Sequence, residues 1–342
     1  MSTKPCLLAL CTAQPPITLE RDAVIEGARR LFPAIDRLLP IYANAGVERR
    51  ASCVPLEWYF EPHGWAERNR LFIGHALDLL ERAAVDCLAQ AGRQADEVDC
   101  LVVISSTGIA TPSLDALLME RLPFRRDVTR LPVFGLGCAG GVLGLGRAAA
   151  MAQPGSLVLL LVVELCGLTF RANDASAANV VATALFGDGA AAALLGPGES
   201  GPRITGWGEH CWPHTTEIMG WKVEDDGFGV LFAQSIPDLV RTRLRPAVDA
   251  FLAGHGLRLE QIDRLICHPG GTKVVVALEA ALDQPQGTLA DERAVLRDHG
   301  NISAATVLFV LSRALATGLP GRSLVAGMGP GFCAGFILVE GP

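Results

Sequence analysis

Three side chains in this 342-residue chain have the types and settings needed for covalent chemistry: Cys138, His268 and Asn301. Cys138 lies in Val133-Phe134-Gly135-Leu136-Gly137-Cys138-Ala139-Gly140-Gly141, which reads as a strand, a thiol, and glycines opening a helix. A thiol at a helix N-terminus feels the positive end of the helix dipole and nearby backbone N–H groups, which favour the thiolate. The flanking glycines let the backbone turn sharply and let an acyl group come close. His268 ends an apolar run, Leu265-Ile266-Cys267-His268, ahead of Pro269-Gly270-Gly271. The C-terminal end of a buried strand is where α/β folds build their sites. Asn301, in Gly300-Asn301-Ile302-Ser303, sits in a turn that opens a helix, and its amide can donate to a developing oxyanion. Each residue also has a bland explanation: a structural thiol beside a tight turn, a hydrogen-bonded rim histidine, a helix N-cap.

The three are 130 and 33 residues apart. Papain-like proteases use the same residue types, but with the cysteine near the mature N-terminus and a different local sequence. A set divided between two α/β halves suits carbon–carbon bond formation instead. The thiolate carries an acyl group as a thioester. Imidazole and amide polarise a second thioester carbonyl, so that loss of CO2 from a malonyl group leaves a stabilised enolate. This chemistry calls for no metal and no redox cofactor.

The elements that must hold these residues can be read from periodicity and punctuation. Strand-like runs are predicted at 7–10, 100–105, 131–136, 157–164 and 190–195, then at 204–208, 264–268, 324–328 and 336–339. Helical patterns fill 21–39, 71–91, 141–152, 176–185, 237–253, 272–282 and 304–316. Strands that are apolar throughout need helices on both faces. The strongest break is Gly196-Pro197-Gly198-Glu199-Ser200-Gly201-Pro202, and the stretches on either side look alike. Each has a long helix, an Asp-bearing turn (Asp99, Asp263) and an apolar strand ending in a polar residue. The expectation is two similar α/β halves, 1–196 with the cysteine and 197–342 with the histidine and asparagine, packed as one unit.

Composition agrees. Half the residues are hydrophobic and 19% are charged, which suits a large buried core. A net charge of −7 supplies no basic field for nucleic acid or anionic lipid. The longest strongly apolar run, 157–163, is far short of the ~18 residues needed to span a bilayer. The apolar stretch 6–11, ended by Pro15 and Pro16, is too short for a secretory core. The ten cysteines are scattered, without CxxC pairs or zinc spacing, so they are expected to be reduced thiols in a cytoplasmic protein.

With these residues in view, the sequence resembles the type III polyketide synthases, the chalcone-synthase-like branch of the thiolase superfamily, in their bacterial form. The segments that carry the resemblance are Gly137-Cys138-Ala139-Gly140-Gly141, Leu185-Phe186-Gly187-Asp188-Gly189-Ala190, His268-Pro269-Gly270-Gly271, Gly300-Asn301-Ile302-Ser303 and Gly327-Met328-Gly329-Pro330-Gly331-Phe332. Their order and spacing agree over nearly the whole chain. The resemblance implies a homodimer of five-layered αβαβα subunits that extends an acyl-CoA starter iteratively with malonyl-CoA and then cyclises the product. It gives Cys138 the nucleophile's role, with His268 and Asn301 as partners to the thioester carbonyl. It places Phe186 and Phe232 as gatekeepers between a CoA tunnel and the cavity. Ser106, Thr107, Cys166, Thr169 and Ser303 are implied to line that cavity, and Gly329 and Pro330 to shape its wall.

The sequence departs from the family at several points. The cations that hold CoA phosphates in plant members are mostly absent, and Arg37 is the one that aligns. Delivery of the starter by an acyl carrier protein therefore stays open. Thr111 and Met328 also differ from the family's usual residues. The alternatives are a ketoacyl-carrier-protein synthase III performing a single condensation, and a silent CoA-binding thiolase-fold protein. The first typically has His-Gln-Ala-Asn where this chain has His268-Pro269-Gly270-Gly271, and the second has no need of all three reactive residues.

Overall fold

The computed structural model describes residues 4–32, 35–198 and 201–341. The first half of the chain contains β1 (Cys6–Ala13), β2 (Ile17–Glu20), α1 (Arg21–Leu31), α2 (Pro40–Ala45), β3 (Arg49–Ser52), α3 (Trp65–Gln90), β4 (Cys100–Ser105), α4 (Leu114–Leu118), β5 (Thr129–Phe134), α5 (Gly140–Met151), β6 (Val158–Leu165), α6 (Ala177–Leu185) and β7 (Asp188–Gly196). The second contains β8 (Arg203–Cys211), β9 (Met219–Glu224), β10 (Gly227–Phe232), α7 (Ile236–Ala253), β11 (Arg264–Cys267), α8 (Thr272–Ala281), α9 (Ala290–His299), α10 (Thr306–Ala316), β12 (Arg322–Gly329) and β13 (Cys333–Glu340).

All eight residues of β6, Val-Leu-Leu-Leu-Val-Val-Glu-Leu, are buried. A strand apolar on both faces is stable only between two layers, and the fold supplies them. On one face lies α3, whose buried Phe72, Ala76, Leu80, Ala83 and Cys87 recur at helical spacing. On the other lies α5, which packs on β4 and β6 of its own half and on β8, β12 and β13 of the other. Its Gly- and Ala-rich sequence lets it fit between two sheets, and nine of its twelve residues are buried. Helix α10 shares this central layer, against β1, β11 and β12, while α7 and α8 cover the far face of the second half. The order of layers is therefore αβαβα.

Nine strands are hydrogen-bonded in the order β11-β12-β13-β8-β1-β7-β6-β4-β5, with the halves joined where Cys6 pairs with Arg203. In the first half β1 is antiparallel to β7, β7 to β6, and β6 is parallel to β4. In the second, β8 is antiparallel to β13, β13 to β12, and β12 is parallel to β11. The likeness extends to the Asp-bearing turns: Asp99 accepts from Leu157 N and Asp263 from Arg322 N, each at 2.8 Å. By this correspondence α5 and α10 are equivalent helices, so Cys138 and Asn301 both lie just ahead of the central helix of their half.

Some sequence-based expectations need correction. The pattern at 21–39 is not one helix: α1 ends at Leu31, a single 3-10 turn follows at 35–37, and residues 33 and 34 lie outside the described set, as do 199 and 200 in the break between halves. The acid- and arginine-rich α9 and the β9–β10 hairpin were not expected. The cysteines are not all reduced, since Cys211 and Cys333, directly opposite on antiparallel β8 and β13, form a disulfide. Only strand pairing brings these two residues together across 122 positions of chain, and spacing alone does not reveal it.

Candidate active site

The turn that holds Cys138 is built by close contact. Gly137 has φ +47°, and a Cβ there would lie 2.5 Å from Pro330 Cδ. A Cβ on Gly329 would lie 2.5 Å from Leu136 O and 2.7 Å from Ala139 N. Thus the β12–β13 turn presses directly on the turn holding Cys138, which only glycine permits on both sides. Between Cys138 and His268 stands Gly327, whose Cβ would be 3.5 Å from Cys138 O and 3.4 Å from His268 Cβ.

His268 is fixed by its backbone, with N donating to Ala326 O at 2.8 Å. Its ring is buried, neither nitrogen has a protein hydrogen-bond partner, and neither His268 nor Asn301 is among the residues that line the Cys138 cavity. Burial pushes its pKa down to about 4, which makes the imidazole neutral near pH 7. Asn301 is buried and tied to the preceding element: its N donates to Leu185 O (2.7 Å), and it forms an isolated parallel bridge with Phe186. Its Oδ1 accepts from Ser303 N at 2.8 Å, and Nδ2 donates to Gly270 O at 3.3 Å.

Cys138 Sγ lies 4.0 Å from Asn301 Oδ1 and 3.8 Å from Ser303 Oγ. The pull of the α5 N-terminus toward thiolate is opposed by desolvation. Cys138 is half-buried on the cavity, and burial of its sulfur pushes the thiol up to about 11, against the opposing pull of the Ser303 and Asn301 contacts. The Glu164 charge adds to the rise. Desolvation of the thiolate outweighs the short 3-10 turn at 137–139 that precedes α5.

Glu164 is the group that sequence reasoning passed over as a site member. Fully buried, it accepts from Ser106 N (3.0 Å), Ser106 Oγ (2.7 Å), Thr107 Oγ1 (2.8 Å) and Ser303 Oγ (3.4 Å). Burial pushes its carboxyl up to about 7 despite these donors. The available signal was a lone acid inside an otherwise apolar run.

The Cys138 cavity, about 410 Å³, is lined by Ser106, Gly137, Phe186, Phe232, Ser303 and Pro330, together with Met219, Gly220, Trp221, Val230 and Leu231 of the unexpected hairpin. Trp221 packs edge-on to Phe186 (6.2 Å), stacks on Phe228 (5.9 Å) and donates from Nε1 to Ser106 O at 2.8 Å. Cys166 and Thr169 do not line this space. They line an adjoining apolar cavity of about 610 Å³, and Phe186 borders both. Thr107 is buried behind the wall, where it serves Glu164, and Gly329 acts through its backbone rather than as lining. Arg37 is exposed on the 3-10 turn and lines neither cavity. Among the described residues no cluster of His, Cys, Asp and Glu is arranged to hold a metal.

Comparison with known proteins decides the family. The chalcone and stilbene synthase N-terminal domain profile matches residues 62–199 and its C-terminal counterpart matches 208–342. The chain belongs to the chalcone and stilbene synthase family. It is 41% identical to the 1,3,6,8-tetrahydroxynaphthalene synthase of Streptomyces peucetius subsp. caesius, over 97% of this chain and 92% of that one. It is 36% identical to a putative chalcone synthase of Bacillus subtilis, over 97% of both. The crystal structure of the tetrahydroxynaphthalene synthase of Streptomyces coelicolor, a bacterial type III polyketide synthase, superposes with TM-score 0.91 at 28% identity, covering 99% of each chain. This chain is thus a type III polyketide synthase, an enzyme that forms carbon–carbon bonds by acyl transfer, and the likeness does not favour a ketoacyl-carrier-protein synthase III.

Proposed function

We propose that this polyketide synthase loads an acyl starter onto Cys138 and extends it with malonyl-CoA, with His268 and Asn301 holding the reacting thioester carbonyl. The observation that supports the reading is that Cys138, on the cavity, has its sulfur 4.0 Å from Asn301 Oδ1, and that Gly327 touches both the Cys138 backbone and His268. The resting thiol is protonated, so loading begins with transfer of its proton to the neutral imidazole as sulfur attacks the starter's carbonyl. CoA leaves as the thiol, which restores the neutral imidazole. A malonyl thioester then places its carbonyl oxygen at the imidazole N–H and the Asn301 amide. Departure of CO2 leaves its electron pair on the enolate these donors stabilise. The enolate carbon attacks the Cys138 thioester, and the carbon–sulfur bond breaks with Cys138 leaving as thiolate. The lengthened chain, now on CoA, returns to Cys138 with release of CoA for the next round. The chemistry runs on thioesters and needs no cofactor.

The edge strand β5 supports a homodimer. Thr129–Phe134 stands at the end of the sheet, and Phe134 is 54% exposed, an unpaired edge suited to a second copy of this chain. Arg37 remains a candidate for CoA phosphate contact, and an acyl carrier protein is the other possible starter donor. Among the described residues no helix is long and apolar enough to cross a membrane. CoA thioester substrates favour a cytoplasmic location.

The test is product analysis by mass spectrometry with malonyl-CoA alone and with short, long and aromatic acyl-CoA starters. Cys138→Ala is expected to abolish acyl loading with fold intact, and Asn301→Ala to slow malonyl-CoA decarboxylation by about 10²–10³-fold. Chain extension by Cys138→Ala would overturn the mechanism.

A further inference from the structure

The Cys211–Cys333 disulfide stands where the two walls of the Cys138 cavity diverge. Toward the C-terminus from Cys211, the chain runs through Trp212 and Thr215 into the β9–β10 hairpin, which supplies Met219, Gly220, Trp221, Val230, Leu231 and Phe232 to one wall. Toward the N-terminus from Cys333, it runs through Phe332 and Gly331 to Pro330, which forms the other. The strands behind the disulfide are held by the sheet. Ahead of it, the walls are joined by few bonds: Trp212 N to Phe332 O at 3.3 Å, Thr215 Oγ1 to Gly331 O at 3.0 Å, and a Trp212–Phe332 ring contact at 5.2 Å. Phe332 is fully buried and held at φ +39°, in the left-handed region uncommon for a non-glycine residue. Cys211 is exposed and Cys333 half-buried, so solvent-borne thiols can reach the bond.

We propose that Cys211–Cys333 is a redox site whose state sets the separation of the two cavity walls, and through it the length of chain the enzyme builds. The reductant is a dithiol. One of its thiolates attacks the exposed Cys211 sulfur, the Cys211–Cys333 bond breaks, and Cys333 leaves as a thiolate that takes up a proton. The reductant's second thiol then displaces Cys211, which is protonated in turn. Two electrons and two protons pass to the protein, and the dithiol becomes a disulfide. A disulfide reagent reverses the exchange. In the oxidised form the walls are stapled at their root. In the reduced form the Pro330 turn stays seated against Gly137, and the hairpin, no longer tied at Cys211, shifts relative to it.

The product readout rests on the polyketide synthase reading, while the redox readout does not. The purified enzyme is prepared air-oxidised and dithiothreitol-reduced, denatured, and labelled with N-ethylmaleimide. The oxidised form should take up two fewer labels, and the missing pair should map to Cys211 and Cys333. In the native state, Cys138 of the reduced form should react with a bulky maleimide at least about threefold faster than in the oxidised form, as a shift in wall conformation requires. With malonyl-CoA, the ratio of longer to shorter products should rise on reduction by a similar factor. Cys211→Ser, or Cys333→Ser if the first fails to fold, should behave as the reduced enzyme whether or not dithiothreitol is present. Equal label counts in the two forms would overturn the site. Unequal counts with unchanged Cys138 access would overturn its control of the walls. Altered access without any polyketide product would support the redox site and count against the polyketide reading instead.

Discussion

Replacing Glu164 by Gln separates the charge of this buried acid from its hydrogen bonding. Ser303 Oγ lies 3.4 Å from Glu164 Oε1 and 3.8 Å from Cys138 Sγ, so carboxylate and sulfur are no more than about 7 Å apart. At an effective dielectric constant of ~20, two unit charges at that distance repel by about 2 kcal/mol, a factor of about 30 in thiolate population. Glu164 itself is pushed up to about 7, so the repulsion acts above pH 7 and fades as the acid takes up its proton below. In Glu164→Gln the amide keeps an acceptor for the Ser106 and Thr107 donors, and the charge is gone. The assay is the pseudo-first-order rate of Cys138 alkylation by iodoacetamide from pH 6 to 10, followed by intact mass. For the unmodified enzyme, a thiol pushed up to about 11 should react slowly near neutrality and gain about tenfold per pH unit over the upper part of the range. The variant should react about 10–30-fold faster at pH 9 and match the parent near pH 6. Equal rates at pH 9 would refute an electrostatic link between the two groups. Fast alkylation of the parent at pH 7 would refute the protonated resting thiol.

Glu292, whose Oε1 accepts from Cys267 N at 2.8 Å, is pushed up to about 7 by burial. The folded state therefore holds a proton there between about pH 4.5 and 7 that the unfolded chain releases, so this acid's contribution to stability grows as pH falls and is lost as it rises. Glu292→Gln should accordingly stabilise by about 1–3 kcal/mol at pH 8, with no gain at pH 5, as read by chemical denaturation. Trp221→Ala removes the indole from between Phe186 and Phe228, and kcat/KM for medium-chain acyl-CoA starters should rise about tenfold relative to acetyl-CoA, the scale of a few methylenes. Gly137→Ala places a Cβ 2.5 Å from Pro330 on a left-handed backbone, so kcat should fall by at least about tenfold while far-ultraviolet dichroism is unchanged.

Much of this architecture was legible in the chain because burial on both faces leaves a plain mark. The apolar runs behind β4, β6 and β7 read as strands directly, and β4 at 100–105 was placed to the residue. Cys138, His268 and Asn301 stood out because each interrupts such a pattern beside glycines. What escaped depends on neighbours distant in sequence. The β9–β10 hairpin mixes exposed Lys222 and Val223 and half-buried Glu224 with cavity-facing Trp221, so neither strand shows a clean alternation. Helix α9 is rich in charge and buries only Glu292, Val295 and Leu296, too few for a visible apolar stripe. The desolvation that opposes the helix dipole at Cys138 is a property of the completed fold, which local reasoning from the dipole does not see. Cys166 and Thr169 fell on the far side of Phe186 because a side chain's choice of cavity is set by packing.

The interleaved layers also bear on how the enzyme is made. Helix α5 lies between two sheets, one of which is assembled from residues that follow Arg203. A ribosome that has produced only the first half has therefore made Cys138 without His268 or Asn301, and has left α5 behind it with one side uncovered. The turn holding Cys138 is completed only when the last strands dock, because β12 and the β12–β13 turn bring Gly327 and Pro330 against it. On the proposed mechanism a nascent or truncated chain is expected to be silent toward thioesters. It is also sticky, and its fate in the cell is decided by chaperones and proteases before chemistry can begin.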